Sequence, residues 1–250
     1  MNTRTQPATA PIDRSSETRA RILGAALQEF SAHGFAGART ERIAAAAGVN
    51  KALLYYHYQS KENLYVAVVE TISVKIRDRS MAVFMREATP GERLLRTALD
   101  HFDRILAQGE FQRLMQQEMM RLHQGEAGAL PIIVKRVFAP IQTMFQALVR
   151  EGISSGELID VDPMQIHLSA LGANVLYFMG APIWRLVLPF DPYAPEAVAE
   201  RRRMVVEFLG QAMFTDRKHG AELAARVLAD MPMPEMNTER LKFGGKDERA

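Results

Sequence analysis

The segment Thr40-Glu-Arg-Ile-Ala-Ala-Ala-Ala-Gly-Val-Asn-Lys-Ala-Leu-Leu-Tyr-Tyr-His-Tyr-Gln-Ser-Lys-Glu-Asn-Leu64 carries more structural information than any other part of this 250-residue chain. Thr40 is a good N-cap, and Ile43, Ala44 and Ala47 give a short helix whose small residues permit close packing. Gly48 supplies a tight turn. A second short helix follows over Lys51 to His57. Two short helices joined by a tight glycine turn have the shape of a helix-turn-helix. Spacing alone is only moderately specific, because many helical hairpins look similar.

Upstream, Ile22, Leu23, Ala26, Leu27 and Phe30 form one apolar helical stripe, with Ser16 as a possible cap and Gly34 as its end. Residues 1–15 hold Pro7, Pro11 and no hydrophobic period, and are expected to be a mobile arm. Downstream, the pattern is helical almost throughout, and period-2 alternation is nearly absent. A connecting helix runs from about Asn63 to Met85. Pro90 opens the next, whose apolar face is Leu94, Leu95, Ala98, Leu99, Phe102, Ile105 and Leu106 and which ends at Gly109. A helix over Phe111 to His123 follows. One from Pro131 contains Pro140 and should be kinked there.

Asp162-Pro-Met-Gln165 reads as a cap, a first-turn proline and a capping-box partner. The helix it opens is apolar nearly all round through Met179, so it must be covered on several sides. Gly180 and Pro182 stop it. Pro195 to Phe214 is the last long helix. Residues 216–250 give a short helix to about Ala229, then a loose tail.

Composition sets outer limits. Hydrophobic residues make up 48% of the chain, enough for a buried core. With no cysteine, disulfide frameworks, zinc ribbons, iron–sulfur clusters and cysteine nucleophiles are excluded. The segment before Ser16 lacks the apolar core of a secretory signal. The apolar run Leu168 to Leu188 is broken by Asn174, Gly180, Pro182 and Arg185, and reads as a buried helix rather than a membrane span. GxSxG, GxGxxG, Walker A and HExxH patterns are absent, and Gly244-Gly-Lys246 follows no strand. The six histidines (33, 57, 101, 123, 167, 219) show no metal-ligand spacing. The expectation is a cytoplasmic protein that is no enzyme, with no cofactor, no metal and no membrane partner.

The Thr40–Leu64 segment resembles the DNA-binding domain of the TetR family of bacterial transcriptional regulators. The family pattern of Thr, Ile-Ala, Ala-Gly-Val, Leu-Tyr-Tyr-His-Phe and Lys-Glu-x-Leu is present at its spacings, with Tyr58 where Phe is usual. The likeness covers about residues 17–64 and is highly specific.

The resemblance implies an all-α fold: a three-helix helix-turn-helix DNA-binding domain (16–64) before a helical-bundle ligand-binding and dimerisation domain (65–215). It implies that Lys51 and Ala52 enter the major groove, where a lysine can donate to guanine and an alanine can meet a thymine methyl. Asn50 can assist. Thr40 can offer its hydroxyl and backbone N–H to a phosphate. Tyr55, Tyr56 and His57 place polar tips near the backbone, and Lys61 adds charge to that track. Tyr58 belongs in the core, as does Leu54, whereas Leu53 is more exposed. Tyr55 and Tyr56 could instead be core, His57 a solvated helix end, and Arg39 a phosphate contact or a plain surface charge.

Charge placement agrees with a DNA partner. Residues 1–64 hold eight Lys/Arg against five Asp/Glu, net +3, while 65–215 is −1 and 216–250 is neutral. That supports salt-dependent phosphate attraction, not a non-specific DNA coat.

The family dimerises and commonly carries a small-molecule pocket. The resemblance thus implies a homodimer through the helices around 163–179 and 195–214, reading an inverted-repeat operator in double-stranded DNA. It also implies a small-molecule effector that releases the DNA. Pocket candidates are Met115 and Met119, which are adaptable but more often plain core, together with Phe102, Phe138 and Phe145. The polar insertions Asn174 and Tyr177, with His167, could orient a ligand or pair across a dimer. Trp184 could be a pocket wall or a dimer-edge residue. Arg201-Arg-Arg203 reads as a solvated face or dimer rim. The competing function is a ligand-independent helical interaction module with a vestigial DNA-binding head.

Overall fold

The computed structural model describes residues 14–126, 128–189 and 191–235. Most of the expected arm and the end of the expected tail, including Gly244-Gly-Lys246, lie outside them. The described residues are helical: α1 (Arg14–Gly37), α2 (Thr40–Ala46), α3 (Lys51–Tyr58), α4 (Lys61–Phe84), α5 (Pro90–Ala107), α6 (Gly109–His123), α7 (Leu130–Ile133), α8 (Ala139–Ser154), α9 (Pro163–Met179), α10 (Ala181–Val187), α11 (Pro195–Ala212) and α12 (Arg217–Asp230). The all-α class is as expected. The chain divides between Val69 and Glu70, inside α4, into two compact units.

In the first unit, Ile22, Ala26 and Phe30 are fully buried at helical spacing, as their stripe predicts. Phe30, Phe35 and Tyr65 form an aromatic cluster with centroid separations of 4.8 to 6.3 Å. One end assignment needs correction, at the start of α1, whereas Gly34 ends the first helical run as expected. α1 begins at Arg14, so Ser16 lies within its first turn and does not cap it. At Gly34 the backbone leaves the helix (φ 68°, ψ 175°), and a further turn follows to Gly37. Only glycine takes that conformation without strain, and it lets Phe35 swing back onto the cluster.

In the second unit, α5 packs against α6, α8, α9, α11 and α12. Its Leu94, Leu95, Ala98, Leu99, Phe102, Ile105 and Leu106 are all buried. Thr89 caps it by accepting from the Glu92 amide at 3.2 Å, and Pro90 fills the first turn. The break after α5 falls at Gln108, and Gly109 starts α6 rather than ending α5. A π-helical turn, Val134–Phe138, precedes Pro140 and leaves it in the first turn of α8, where its missing N–H costs no helical bond. The 25-residue run Leu130–Ser154 is long and apolar enough to cross a membrane, with an 18-residue stretch of mean hydropathy 1.3. Its Ile133, Val137, Ile141, Phe145, Leu148 and Val149 are buried inside this unit, whereas Val134 and Phe138 are exposed.

Asp162 caps α9 by accepting from the amides of Met164 (2.7 Å) and Gln165 (3.1 Å). α9 bends by 66° into α10 at Gly180. Within the single chain one side of α9 is covered. Ala170, Asn174 and Phe178 are buried, whereas Leu168, Leu176 and Met179 are exposed. α12 lies so close on α11 that a methyl group at Gly210 would stand 2.6 Å from the Gly220 carbonyl.

The Arg201–Arg203 triplet departs most from its reading. Arg203 is a solvated residue paired with Glu200 and Glu207. Arg202 is not: it is 5% exposed and grips Asp103 through two bonds of 2.7 and 2.8 Å. It also donates to the Met231 carbonyl at 2.7 Å, tying the end of α12 to α5. Consecutive helix residues point about 100° apart, so one of three was turned into the core.

Candidate nucleic-acid interface

The turn between α2 and α3 follows from local chemistry. Gly48 (φ 66°) reverses the chain. Asn50 then caps α3, its side-chain oxygen accepting from the Leu53 amide at 2.7 Å. Leu54 and Tyr58, four apart, are the buried residues of α3 and seat it on the unit. Lys51, Ala52, Leu53 and Tyr56 therefore share the uncovered side, with Tyr56 76% exposed.

Thr40 does not cap α2. It is the first helical residue, and the preceding Arg39 is extended, its backbone N–H donating to Glu29 at 3.0 Å. Thr40 remains at the helix N-terminus, nearly buried, with its hydroxyl 3.3 Å from that of Tyr55. Tyr55 is half-buried and linked to α2. His57 is also half-buried, 3.5 Å from the Arg19 guanidinium of α1. The Arg39 guanidinium is exposed and has no carboxylate partner among the described residues.

Two features were illegible from spacing. Lys51 is held by Glu41 of α2, ten residues away, and lies 5.8 Å from the Tyr55 ring centre. The hydrogen bond from Lys51 pulls the Glu41 carboxyl below its ordinary value, and Glu41 in turn raises Lys51. Glu41 thus competes with DNA for the proposed base-reading cation. Lys61 also folds back, donating to the Ala36 carbonyl at 3.2 Å and lying 5.0 Å from the Phe35 ring centre. Its charge stays at the start of α4 with fewer free donors.

The expected pocket residues of the second unit separate into three groups. Phe102, Phe145 and Met115 are buried. Phe102 lies 6.3 Å from Tyr177 and 5.1 Å from Phe178, and Phe145 meets His167 edge-on at 4.9 Å. Asn174 is fully buried, donating to the Ala98 carbonyl at 3.1 Å and lying 3.4 Å from His101. Burial pushes His101 down to about 3, so it is neutral at physiological pH. Tyr177 donates to the Pro192 carbonyl at 2.7 Å. Met119 and Phe138 lie apart from these, both exposed.

Two short helices joined by the Gly48 turn, the second presented on a small helical unit, make a helix-turn-helix. Residues 22–68 match bacterial regulatory proteins of the tetR family, and residues 84–209 match a tetracyclin repressor-like C-terminal domain. The chain is 30% identical to the HTH-type transcriptional regulator RutR of Escherichia coli K12 over 192 residues, 74% of this chain and 78% of RutR. It is 27% identical to the HTH-type transcriptional repressor NicS of Pseudomonas putida over 165 residues, 66% of this chain and 76% of NicS. Its fold is similar to that of a regulator from Saccharomonospora viridis solved in complex with choline. That likeness has a TM-score of 0.64 and 18% identity, covering 80% of this chain and all of the other. The chain belongs to the TetR family of bacterial transcriptional regulators. The relatives named are regulators, not enzymes.

Proposed function

We propose that the protein is a homodimeric repressor in the cytoplasm that reads an inverted-repeat operator and leaves it when a small-molecule effector binds. The presentation of α3 carries this reading. Leu54 and Tyr58 fix the helix, and the side chains left outside are a cation, a small residue and an amphipathic tyrosine, the groups that contact base edges and phosphates. In this reading Lys51 and Ala52 face bases, with Asn50 beside them. Arg39, Thr40, Tyr55, Tyr56, His57 and Lys61 serve the backbone.

Dimerisation is assigned to α9 and α11. Leu168, Leu176 and Met179 on α9, with Met204 and Phe208 on α11, are exposed apolar side chains. A single chain rarely leaves such a patch uncovered, and a twofold pairing would cover it on both copies. The S. viridis relative, solved with choline, supports a small molecule as the controlling signal. Release follows if the effector favours a state whose heads mismatch the operator, by no more than its difference in affinity for the two states.

Selection of bound DNA from a random pool, followed by sedimentation of the complex, tests the reading. The expected outcome is an inverted repeat holding two chains. Recovery of no consensus, or of a single half-site holding one chain, contradicts it.

A further inference from the structure

α5 is enclosed by five other helices, and most of its residues are sealed. His101 is not. Leu94, Ala98, Phe102 and Ile105 around it are at most 1% exposed, yet His101 keeps accessible surface. A side chain left open among sealed neighbours borders a gap in the packing. The groups beside it come from α5, α8 and α9. Asn174 is fully buried, 3.4 Å from His101. His167 lies two turns before Asn174 on the same side of α9 and meets Phe145 edge-on. This is the side of α9 turned into its own chain, whereas Leu168, Leu176 and Met179 face outward.

Hydrogen-bond accounting fixes what the gap offers. The Ala98 carbonyl can only accept, so it turns the Asn174 amide nitrogen toward itself, at 3.1 Å. The same nitrogen faces His101 Nδ1, which must therefore be the bare nitrogen of the ring. The His101 proton then sits on Nε2, where no described residue accepts it. The Asn174 side-chain oxygen is left without a partner, and so is His167 Nδ1, both atoms buried. One donor, one acceptor and one ring nitrogen that can take either part are thus all unpaired. Buried groups of this kind call for a partner. The charge nearby is already matched: Arg104, three residues on from His101, donates to Asp100 at 3.1 Å and to Ser80 at 3.2 Å. Burial keeps both imidazoles neutral. An ion entering the gap would lose its water and find no free counter-charge.

We propose that this gap binds an uncharged amide with a flat apolar body. The amide carbonyl accepts from His101 Nε2, the amide N–H donates to the Asn174 oxygen, and the body lies among Phe102, Phe145 and Tyr177. The inference rests on the effector-controlled reading above and gives the effector a chemical class. It also gives a route for control. Asn174 belongs to α9, the helix assigned to dimerisation, so a ligand held between His101 and Asn174 acts on the position of that helix. A ligand that fits one position better than another shifts the equilibrium between them.

The test is calorimetric titration of the full chain with benzamide, benzoate and benzylammonium, which share a ring and differ in charge. Benzamide should bind at least about tenfold more tightly than either ion. His101→Phe keeps a ring and removes the donor; with an unchanged melting profile it should weaken benzamide about tenfold. His101→Gln restores an N–H donor and should recover part of the loss. In spectra of protein labelled with 15N-histidine, the His101 signal, assigned by its loss in either variant, should show the Nε2–H form and should move when benzamide is added. That readout uses the unaltered chain and stands even if His101→Phe fails to fold. Equal binding of all three probes, no binding of benzamide, a His101 ring protonated on Nδ1, or a His101→Phe protein that binds benzamide unchanged overturns the proposal. Operator affinity measured on the same samples separates the two readings. Benzamide bound through His101 with no change in DNA affinity keeps the site and contradicts effector control. Intact operator binding with no benzamide uptake overturns the site and leaves the DNA-binding reading standing.

Discussion

Replacing Arg202 with methionine should cost this protein more stability than any surface change. The guanidinium and its partner Asp103 are each about 6% exposed, and two short bonds join them. Methionine fills much of the same volume but leaves a buried carboxylate without its cation, and it frees the Met231 carbonyl. Breaking a buried pair from one side is worth about 3–5 kcal/mol, most of it the penalty on the abandoned charge. The double variant Asp103→Leu/Arg202→Met removes that charge and should regain more than half of the loss. Trp184 is the chain's single tryptophan and lies in the second unit, so urea unfolding followed by its fluorescence reads the right region.

The pH dependence gives a second check. Burial already holds the Asp103 carboxyl above its ordinary value, even though Arg202 pulls it down. Without Arg202 it rises further. A carboxyl raised in the folded state destabilises the fold progressively as pH rises from its ordinary value through the folded one. The loss in Arg202→Met should thus be smaller near pH 4.5 than at pH 7.5. A single-variant loss below about 1 kcal/mol, a double variant no better than the single, or a loss that grows in acid would refute the reasoning.

Three further outcomes follow from other parts of the structure. Gly220→Ala should destabilise the second unit by about 2 kcal/mol or more, because a methyl group there runs into the Gly210 carbonyl; urea unfolding measures it. Asn50→Ala removes the α3 cap and should cost about 1 kcal/mol, read as a lower melting temperature of the head with little change in the second unit. Glu41→Gln frees Lys51 and takes a negative charge from the α2–α3 surface, so DNA affinity should rise on random duplex and rise further on the operator, in fluorescence anisotropy at fixed salt.

How far these features could be read from the sequence depends on the distance between the residues that make them. The helix-turn-helix is local, and so is the cap at Asp162, where a side chain reaches amides two and three residues on. Tyr58 in the core and Leu53 outside followed from the resemblance, in which Tyr58 stands where Phe is usual. Local end assignments slipped by one or two residues at Ser16, Thr40 and Gly109, and the larger failures were long-range. Arg202 lies 99 residues from Asp103, and nothing in Arg-Arg-Arg says which of the three is turned inward. Lys51 and Glu41 meet only because the turn closes. The π turn before Pro140 is one of several ways a helix can absorb a missing N–H. For the effector, sequence supplied aromatic and methionine candidates that the fold divides between core and surface, while His101, 73 residues from Asn174, gave no signal that the two would meet.

The central claim is that α3 reads base edges through Lys51. The most direct measurement is the affinity of Lys51→Ala for the selected operator and for random duplex at one salt concentration. A loss of about tenfold or more is expected on the operator, the worth of one base contact, with a much smaller loss on random DNA. Equal losses on both would make Lys51 a phosphate contact, and no loss on either would contradict the assignment of α3 as the reading helix.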